Sequence, residues 1–214
     1  MDIGSPGPAK QALRTRLLAA RARRPGNERT AAGDAIARVL ERYLIDLIDV
    51  HPIPEERAND PGVRLVAAYL SVGFEPETGP LLERLAGLGV RTIVPVLLDD
   101  RDLDWAAYAP GDPVGGGLRA TVAPESPRLG VAALGWADLV IVPALAVDRR
   151  GRRLGRGGGS YDRALTRVRE GVPVLAVVHD DEILDEVTAL PHDRAVDGVV
   201  TPSGVAFFGS DPAS

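Results

Sequence analysis

Four apolar runs constrain what this 214-residue chain can fold into more tightly than any other feature. Val63 to Leu70, Arg91 to Leu97, Leu139 to Val142 and Val172 to Val178 are suited to strands buried on both faces of a parallel sheet. Between the first two, Glu77 to Leu88 carries a short helical pattern. That alternation predicts an α/β fold of three layers, with helices on both faces of a mainly parallel central sheet. The third run extends through Asp138 to Val147, DLVIVPALAV, and reads as one continuous core strand. Asp104 to Tyr108 and Val122 to Leu129 are weaker and read as a peripheral excursion, with Trp105 either core or a wall of a cleft. Ligands in folds of this kind gather at the carboxyl ends of the strands.

The N-terminal third reads as helices. From Ala9 to Arg24, Leu13, Leu17 and Ala20 form an apolar stripe, while Lys10, Arg14 and Arg21 project from a neighbouring face at helical spacing. Spacing alone makes that face a solvated basic one. Pro25-Gly26 breaks the pattern, and a second amphipathic helix follows from about Glu28 to Ile48, with Ala32, Ile36, Val39, Leu40, Tyr43, Leu44 and Leu47 as its core face. His51 to Gly62 holds three prolines and reads as an exposed loop with a surface histidine. The chain is expected to form a single domain over 1–214, with loose ends at 1–8 and 209–214.

Between the third and fourth runs lies Asp148-Arg-Arg-Gly-Arg-Arg-Leu-Gly-Arg-Gly-Gly-Gly-Ser-Tyr-Asp162, with five arginines and five glycines. Glycines let the backbone approach a ligand and aim N–H groups at it. Arginines supply forked, permanent donors that match phosphate oxygens. Ser160 reads as the N-cap of a helix with Asp162 in its first turn, so strand, loop and helix start together make an anion site, most naturally for a nucleotide. The loop is no Walker A sequence, because the closing Gly-Lys-Ser/Thr is missing, and it matches a dinucleotide fingerprint only in part. A solvated Arg/Gly linker or an RNA-binding Arg/Gly segment would use the same letters. Such segments usually lie outside regular elements, and the net charge of −5 disfavours general nucleic-acid affinity. Cysteine is absent, which removes thiolate nucleophiles, disulfides and Cys-ligated metals. No apolar run approaches the ~20 residues of a membrane span and no signal peptide is evident, so a soluble cytoplasmic protein is expected.

Arg153-Leu-Gly-Arg-Gly-Gly-Gly-Ser-Tyr-Asp162, preceded by Pro143-Ala-Leu-Ala-Val-Asp148 and Gly151, resembles the signature of the 5-formyltetrahydrofolate cyclo-ligases, also called 5,10-methenyltetrahydrofolate synthetases. The resemblance implies a Rossmann-like three-layer αβα fold of the kind shared with CoA transferases and ribose-phosphate isomerase. It also implies an ATP site of Lys10, Arg14, Arg153, Leu154, Gly155, Arg156, Gly157, Gly158, Gly159, Ser160 and Tyr161, because Lys10-Gln-Ala-Leu-Arg14 is similar to the family's opening Lys-x-x-Leu-Arg helix. Folate would meet Leu70, Glu75, Arg156 and Ser160, with Arg156 catalytic. Glu75 and Glu77 would also suit a plain helix-dipole role. A carboxylate at Glu75 fits the paired N–H donors of a pterin. Leu190-Pro-His-Asp-Arg-Ala-Val-Asp197 resembles the family's C-terminal acidic pattern, so Asp193 joins Asp162 as a magnesium ligand, a hard cation that takes carboxylates together with substrate phosphates. Ser160 stands where the family has the first tyrosine of Tyr-Tyr-Asp, which removes a stacking surface of about 1 kcal/mol. His179-Asp-Asp-Glu182 departs from the family and receives no role.

The implied reaction is ATP- and magnesium-dependent closure of 5-formyltetrahydrofolate to 5,10-methenyltetrahydrofolate with release of ADP and phosphate, a step of one-carbon metabolism carried out by a monomer without nucleic-acid or membrane partners. Such phosphoryl chemistry needs positioning and charge neutralisation rather than a covalent nucleophile. Three other readings share the loop: a relative that binds nucleotide or folate without turnover, another ATP-dependent enzyme on the same fold, and a nucleic-acid-binding module.

Overall fold

A computed structural model of the chain describes residues 7–50, 65–116, 122–190 and 193–209. Two helices open it, α1 (Pro8–Arg23) and α2 (Gly26–Val50). Then follow β1 (Leu65–Ala67), α3 (Gly79–Gly87), β2 (Arg91–Leu97) and β3 (Leu103–Tyr108). A small hairpin, β4 (Val114–Gly116) and β5 (Val122–Pro124), precedes β6 (Leu139–Pro143), β7 (Ala146–Asp148), β8 (Arg153–Leu154) and α4 (Ser160–Ala164). The chain closes through β9 (Val174–Val177), β10 (Ile183–Leu184), β11 (Gly198–Thr201) and β12 (Gly204–Phe207). The expected His51–Gly62 loop and the ends at 1–6 and 210–214 lie outside the described residues.

Seven strands form the main sheet in the order β12-β11-β9-β6-β1-β2-β3. Its five central strands are parallel, and β12 and β3 close the two edges antiparallel. Alternation within each central strand sends one set of side chains to each face. Val140 and Val142 pack with Ile93, Trp105, Ala133, Leu134 and Ala164. Leu139 and Ile141 pack with Ile36, Leu40 and Leu44 of α2 and Leu81, Leu82 and Leu85 of α3. The layers are those expected, but the first face is covered by 3₁₀ turns at Val131–Trp136 and Leu165–Arg167 and by the five-residue α4. Among the described residues no helix is long and apolar enough to cross a membrane.

Several elements depart from the sequence reading. The run 138–147 is two strands, not one: β6 ends at Pro143, whose missing N–H cannot extend the ladder, and β7 joins a separate three-stranded sheet with β8 and β10. Within the first run the ladder covers only Leu65–Ala67, and Val63 is outside the described residues. Helix α3 starts at Gly79 rather than Glu77, after Pro76 and with Pro80 in its first turn. Asp104–Tyr108 is no excursion, because β3 pairs with β2 from Thr92–Tyr108 to Leu97–Leu103 and Trp105 is 1% exposed core.

Candidate active site

The basic stripe of α1 is buried, contrary to its solvated sequence reading. Lys10, Arg14, Leu17 and Arg21 all face inward, at spacings of three and four residues that bring them onto one side of the helix. Leu17 seats α1 on the small sheet against Leu145, Ala146, Leu154 and Val187. Each cation on that side then finds an oxygen. Lys10 Nζ lies 2.5 Å from Asp193 Oδ2, and Arg14 Nε donates to the Gly155 carbonyl at 2.9 Å. Arg21 donates from Nε and a terminal nitrogen to the two carboxylate oxygens of Glu182, both at 2.7 Å, and also to the Ala144 carbonyl at 2.6 Å. Periodicity showed that these cations share a face. It could not show that oxygens from distant segments would line the surface opposite.

The arginine/glycine loop divides into two parts with different jobs. Residues 149–152 are the turn of the β7–β8 hairpin, organised by the buried Asp148. Its carboxylate accepts from the Arg150, Arg152 and Val187 amides and from the Arg152 guanidinium at 2.6 Å. Arg149 and Arg150 point to solvent there. Residues 155–159 are the part that meets α1. Gly157 has φ of +96°, and a Cβ at that position would sit 3.3 Å from Arg14 Cζ. Only a glycine adopts that backbone easily and leaves the space the guanidinium fills. Gly159, at φ of +69°, is the N-cap of α4. Ser160 is therefore the first helical residue and not the N-cap, and α4 is barely longer than one turn, so the dipole expected behind the loop is short.

Beyond the loop the remaining expected residues come together. Arg153 donates to Asp162 Oδ1 at 2.8 Å, and the Arg194 amide reaches the same oxygen at 3.1 Å, which draws the segment carrying Asp193 up to α4. Asp193 Oδ2 also accepts the Leu190 amide at 2.8 Å. Arg156, half exposed, lies 3.1 Å from Glu75 Oε1 and 3.3 Å from the Val72 carbonyl, so the loop touches the segment after β1. Glu75 caps no helix; its other oxygen accepts the Val72 amide at 3.0 Å. Burial raises its carboxyl above the ordinary value, against the opposing pull of Arg156, that amide and Arg21. Leu70 flanks the segment, half-buried. Leu154 is the exception: its side chain is core, and its carbonyl is used by the Leu145 amide.

Tyr161 has the Arg153 guanidinium 5.7 Å above its ring and a buried hydroxyl without a hydrogen-bond partner. Burial, then the charge of Glu75, pushes that phenol far above its usual range. Tyr69, at the end of β1, carries a second such hydroxyl and was not singled out by sequence. Four cations (Lys10, Arg14, Arg153, Arg156) thus gather with three carboxylates (Glu75, Asp162, Asp193) where α1, the loop before α4 and the segment after β1 meet. The excess of one positive charge suits a polyanion, and the carboxylate beside two phenols suits a ligand with its own N–H donors. Among the described residues no three His, Asp or Glu side chains gather into a metal cage.

The model of the 5-formyltetrahydrofolate cyclo-ligase family matches residues 6–202. The 5-formyltetrahydrofolate cyclo-ligase of Mycolicibacterium smegmatis is 47% identical over 146 residues, spanning 65% of this chain and 74% of the relative. That of Escherichia coli is 32% identical over 143 residues, 65% of this chain and 79% of the relative. Among solved structures, the 5,10-methenyltetrahydrofolate synthetase of Aquifex aeolicus superimposes with a TM-score of 0.71 at 24% identity, covering 94% of this chain and 93% of the other. The synthetase of Mycoplasma pneumoniae gives 0.67 at 18%, covering 90% and 98%.

Proposed function

The chain belongs to the 5-formyltetrahydrofolate cyclo-ligase family, and we propose that its cleft closes 5-formyltetrahydrofolate to 5,10-methenyltetrahydrofolate at the expense of ATP, with magnesium, releasing ADP and phosphate. The observation that carries this reading is the single cluster that joins α1, the loop 155–159, Glu75, Asp162 and Asp193 through direct contacts between segments far apart in sequence.

Lys10, Arg14 and Arg153 hold the phosphates. Each is nearly buried, so its charge acts in a medium of low polarity and the site is formed before the ligand arrives. The loop glycines let main-chain N–H groups approach the same phosphates. Arg156, at the boundary between the phosphate side and Glu75, neutralises charge where the two substrates meet. Glu75 takes the N–H donors of the pterin, and Leu70 packs beside it. The formyl oxygen attacks the γ-phosphoryl group and ADP departs; N10 then attacks the activated carbon, the carbon–oxygen bond breaks, and the phosphate leaves with the proton that N10 gives up. Positioning and charge account for the chain's share of these steps, and no side chain forms a covalent bond.

Asp162 and Asp193 fit a magnesium ion by donor chemistry. Both are carboxylates beside the phosphate-binding cations, and each is also held by a main-chain amide, Arg194 N or Leu190 N. That amide fixes the carboxylate when its cation turns to a phosphate. Asp162 and Asp193 would hold the ion through their carboxylate oxygens, and it would supply charge neutralisation on the phosphates.

The test is purified protein with 5-formyltetrahydrofolate, ATP and magnesium, followed by absorbance of the methenyl product. ATP-dependent product is expected. Its absence at every enzyme concentration refutes the proposal, and nucleotide binding without product would point to a relative that has lost turnover.

A further inference from the structure

Two phenolic oxygens beside Glu75 are buried without a hydrogen-bond partner, those of Tyr69 and Tyr161. Tyr69 is 3% exposed and stands two residues past the end of β1, on the same segment as Leu70 and Glu75. Its backbone is pinned, because the Thr78 hydroxyl donates to its carbonyl at 2.7 Å while Ser71 and Thr78 exchange side chain-to-amide bonds at 3.0 and 3.2 Å. The ring packs in the core with Ile36, Val66 and Leu81. The hydroxyl therefore has little freedom to find a partner elsewhere. Glu75, Tyr161 and the Arg21–Glu182 pair all lie within electrostatic reach of it. Buried hydroxyls are rarely left without a bond, and this one lies close enough to Glu75 to serve a ligand that the same carboxylate holds.

The edge of a pterin that Glu75 would read continues past its two donors. The 2-amino group and N3–H donate, and the 4-carbonyl next to them accepts. A carboxylate answers only the first two. Resting on the reading that Glu75 binds the pterin, we propose that the Tyr69 hydroxyl is a further substrate-binding residue, which donates to the pterin 4-carbonyl and makes the site selective for the 2-amino-4-oxo edge. Tyr161 is the less suited donor, because its ring lies under Arg153 on the phosphate side. Burial, followed by the charge of Glu75, holds the Tyr69 phenol well above its ordinary value, so it stays protonated and remains a donor. A 4-amino analogue offers no acceptor at this point, so the phenol can only turn to accept from the amine and its own O–H is left without a partner, a loss that costs more than a change in apolar shape.

Tyr69→Phe in the full chain tests the assignment. Without ligand its melting temperature is expected to be unchanged or higher, since the deleted oxygen bonds nothing in the protein. In turnover, KM for 5-formyltetrahydrofolate should rise about tenfold with KM for ATP unchanged, the effect of one lost hydrogen bond. The preference for 5-formyltetrahydrofolate over its 4-amino-4-deoxy counterpart, measured by competitive inhibition, should narrow by a similar factor. An unchanged KM and preference in an active enzyme overturns the assignment. A lower melting temperature with equal rises in both KM values also overturns it, because that describes packing. If the wild type forms no methenyl product, calorimetric titration with 5-formyltetrahydrofolate decides. Binding that Tyr69→Phe weakens keeps the assignment while the catalytic reading falls, and no binding by the wild type removes both.

Discussion

Glu182→Gln leaves the Arg21 guanidinium inside the protein without the charge it faces. Arg21 is 1% exposed and Glu182 2%. Three bonds end on that carboxylate, two from Arg21 at 2.7 Å and one from the His179 amide at 2.8 Å. A glutamine can accept only through one atom, and its amide nitrogen would face an N–H of Arg21. Removing one partner of a buried pair costs about 3–5 kcal/mol. For a chain of this size each kcal/mol lowers the melting temperature by roughly 2–4 °C, so a fall of about 6–20 °C is expected in thermal unfolding followed by circular dichroism. The double variant Arg21→Met, Glu182→Met separates the pair from its site. It strands no charge, although the Ala144 carbonyl and the His179 amide lose their partners, so a residual cost of about 2–6 kcal/mol remains, which the single variants share. The losses in the single variants Arg21→Met and Glu182→Met should therefore together exceed the loss in the double variant by at least about 2 kcal/mol. Additive losses, or a Glu182→Gln loss below about 1 kcal/mol, would refute the reasoning, because both describe a solvated pair.

Three further outcomes are expected. Arg156→Ala should lower kcat/KM about 100-fold or more while Arg150→Ala changes it little, since only Arg156 reaches the Glu75 side of the cleft; equal effects would reduce the loop to diffuse charge. Ser160→Tyr should lower KM for the folate substrate about fivefold by restoring about 1 kcal/mol of stacking, and an unchanged or raised value counts against that surface. Burial would raise the Asp148 carboxyl, but the Val187, Arg150 and Arg152 amides and the Arg152 guanidinium outweigh it and hold the folded value below the usual range. The unfolded chain thus binds this proton more readily, and the contribution is complete above the ordinary carboxylate value and lost as pH falls through the depressed one. The gap in melting temperature between wild type and Asp148→Asn should accordingly be widest near neutrality and shrink on acidification, and a gap that is constant with pH would rule out the charge as its source.

Local letters determined much of this protein. Continuous apolar runs make strands that need cover on both faces, so the parallel core of β1, β2, β6 and β9 follows from periodicity, and α2 follows from its repeating stripe. The glycine/arginine loop and its following Ser-Tyr-Asp carry the likeness to the cyclo-ligase family in local letters alone. Tertiary structure alone decided how polar groups are used. Lys10, Arg14 and Arg21 look solvated along the helix, yet each is buried because its oxygen partner, on Asp193, Gly155 or Glu182, lies more than 140 residues away in sequence. Glu182, given no role by its neighbours in sequence, anchors α1, and Tyr69 differs from any strand-end aromatic only through the orphaned hydroxyl beside Glu75. Apolar burial is written in one segment at a time, because one stripe fits any apolar partner. A buried charge or hydroxyl is tolerated only when a specific partner arrives with the right geometry, and that partner is set by the whole fold.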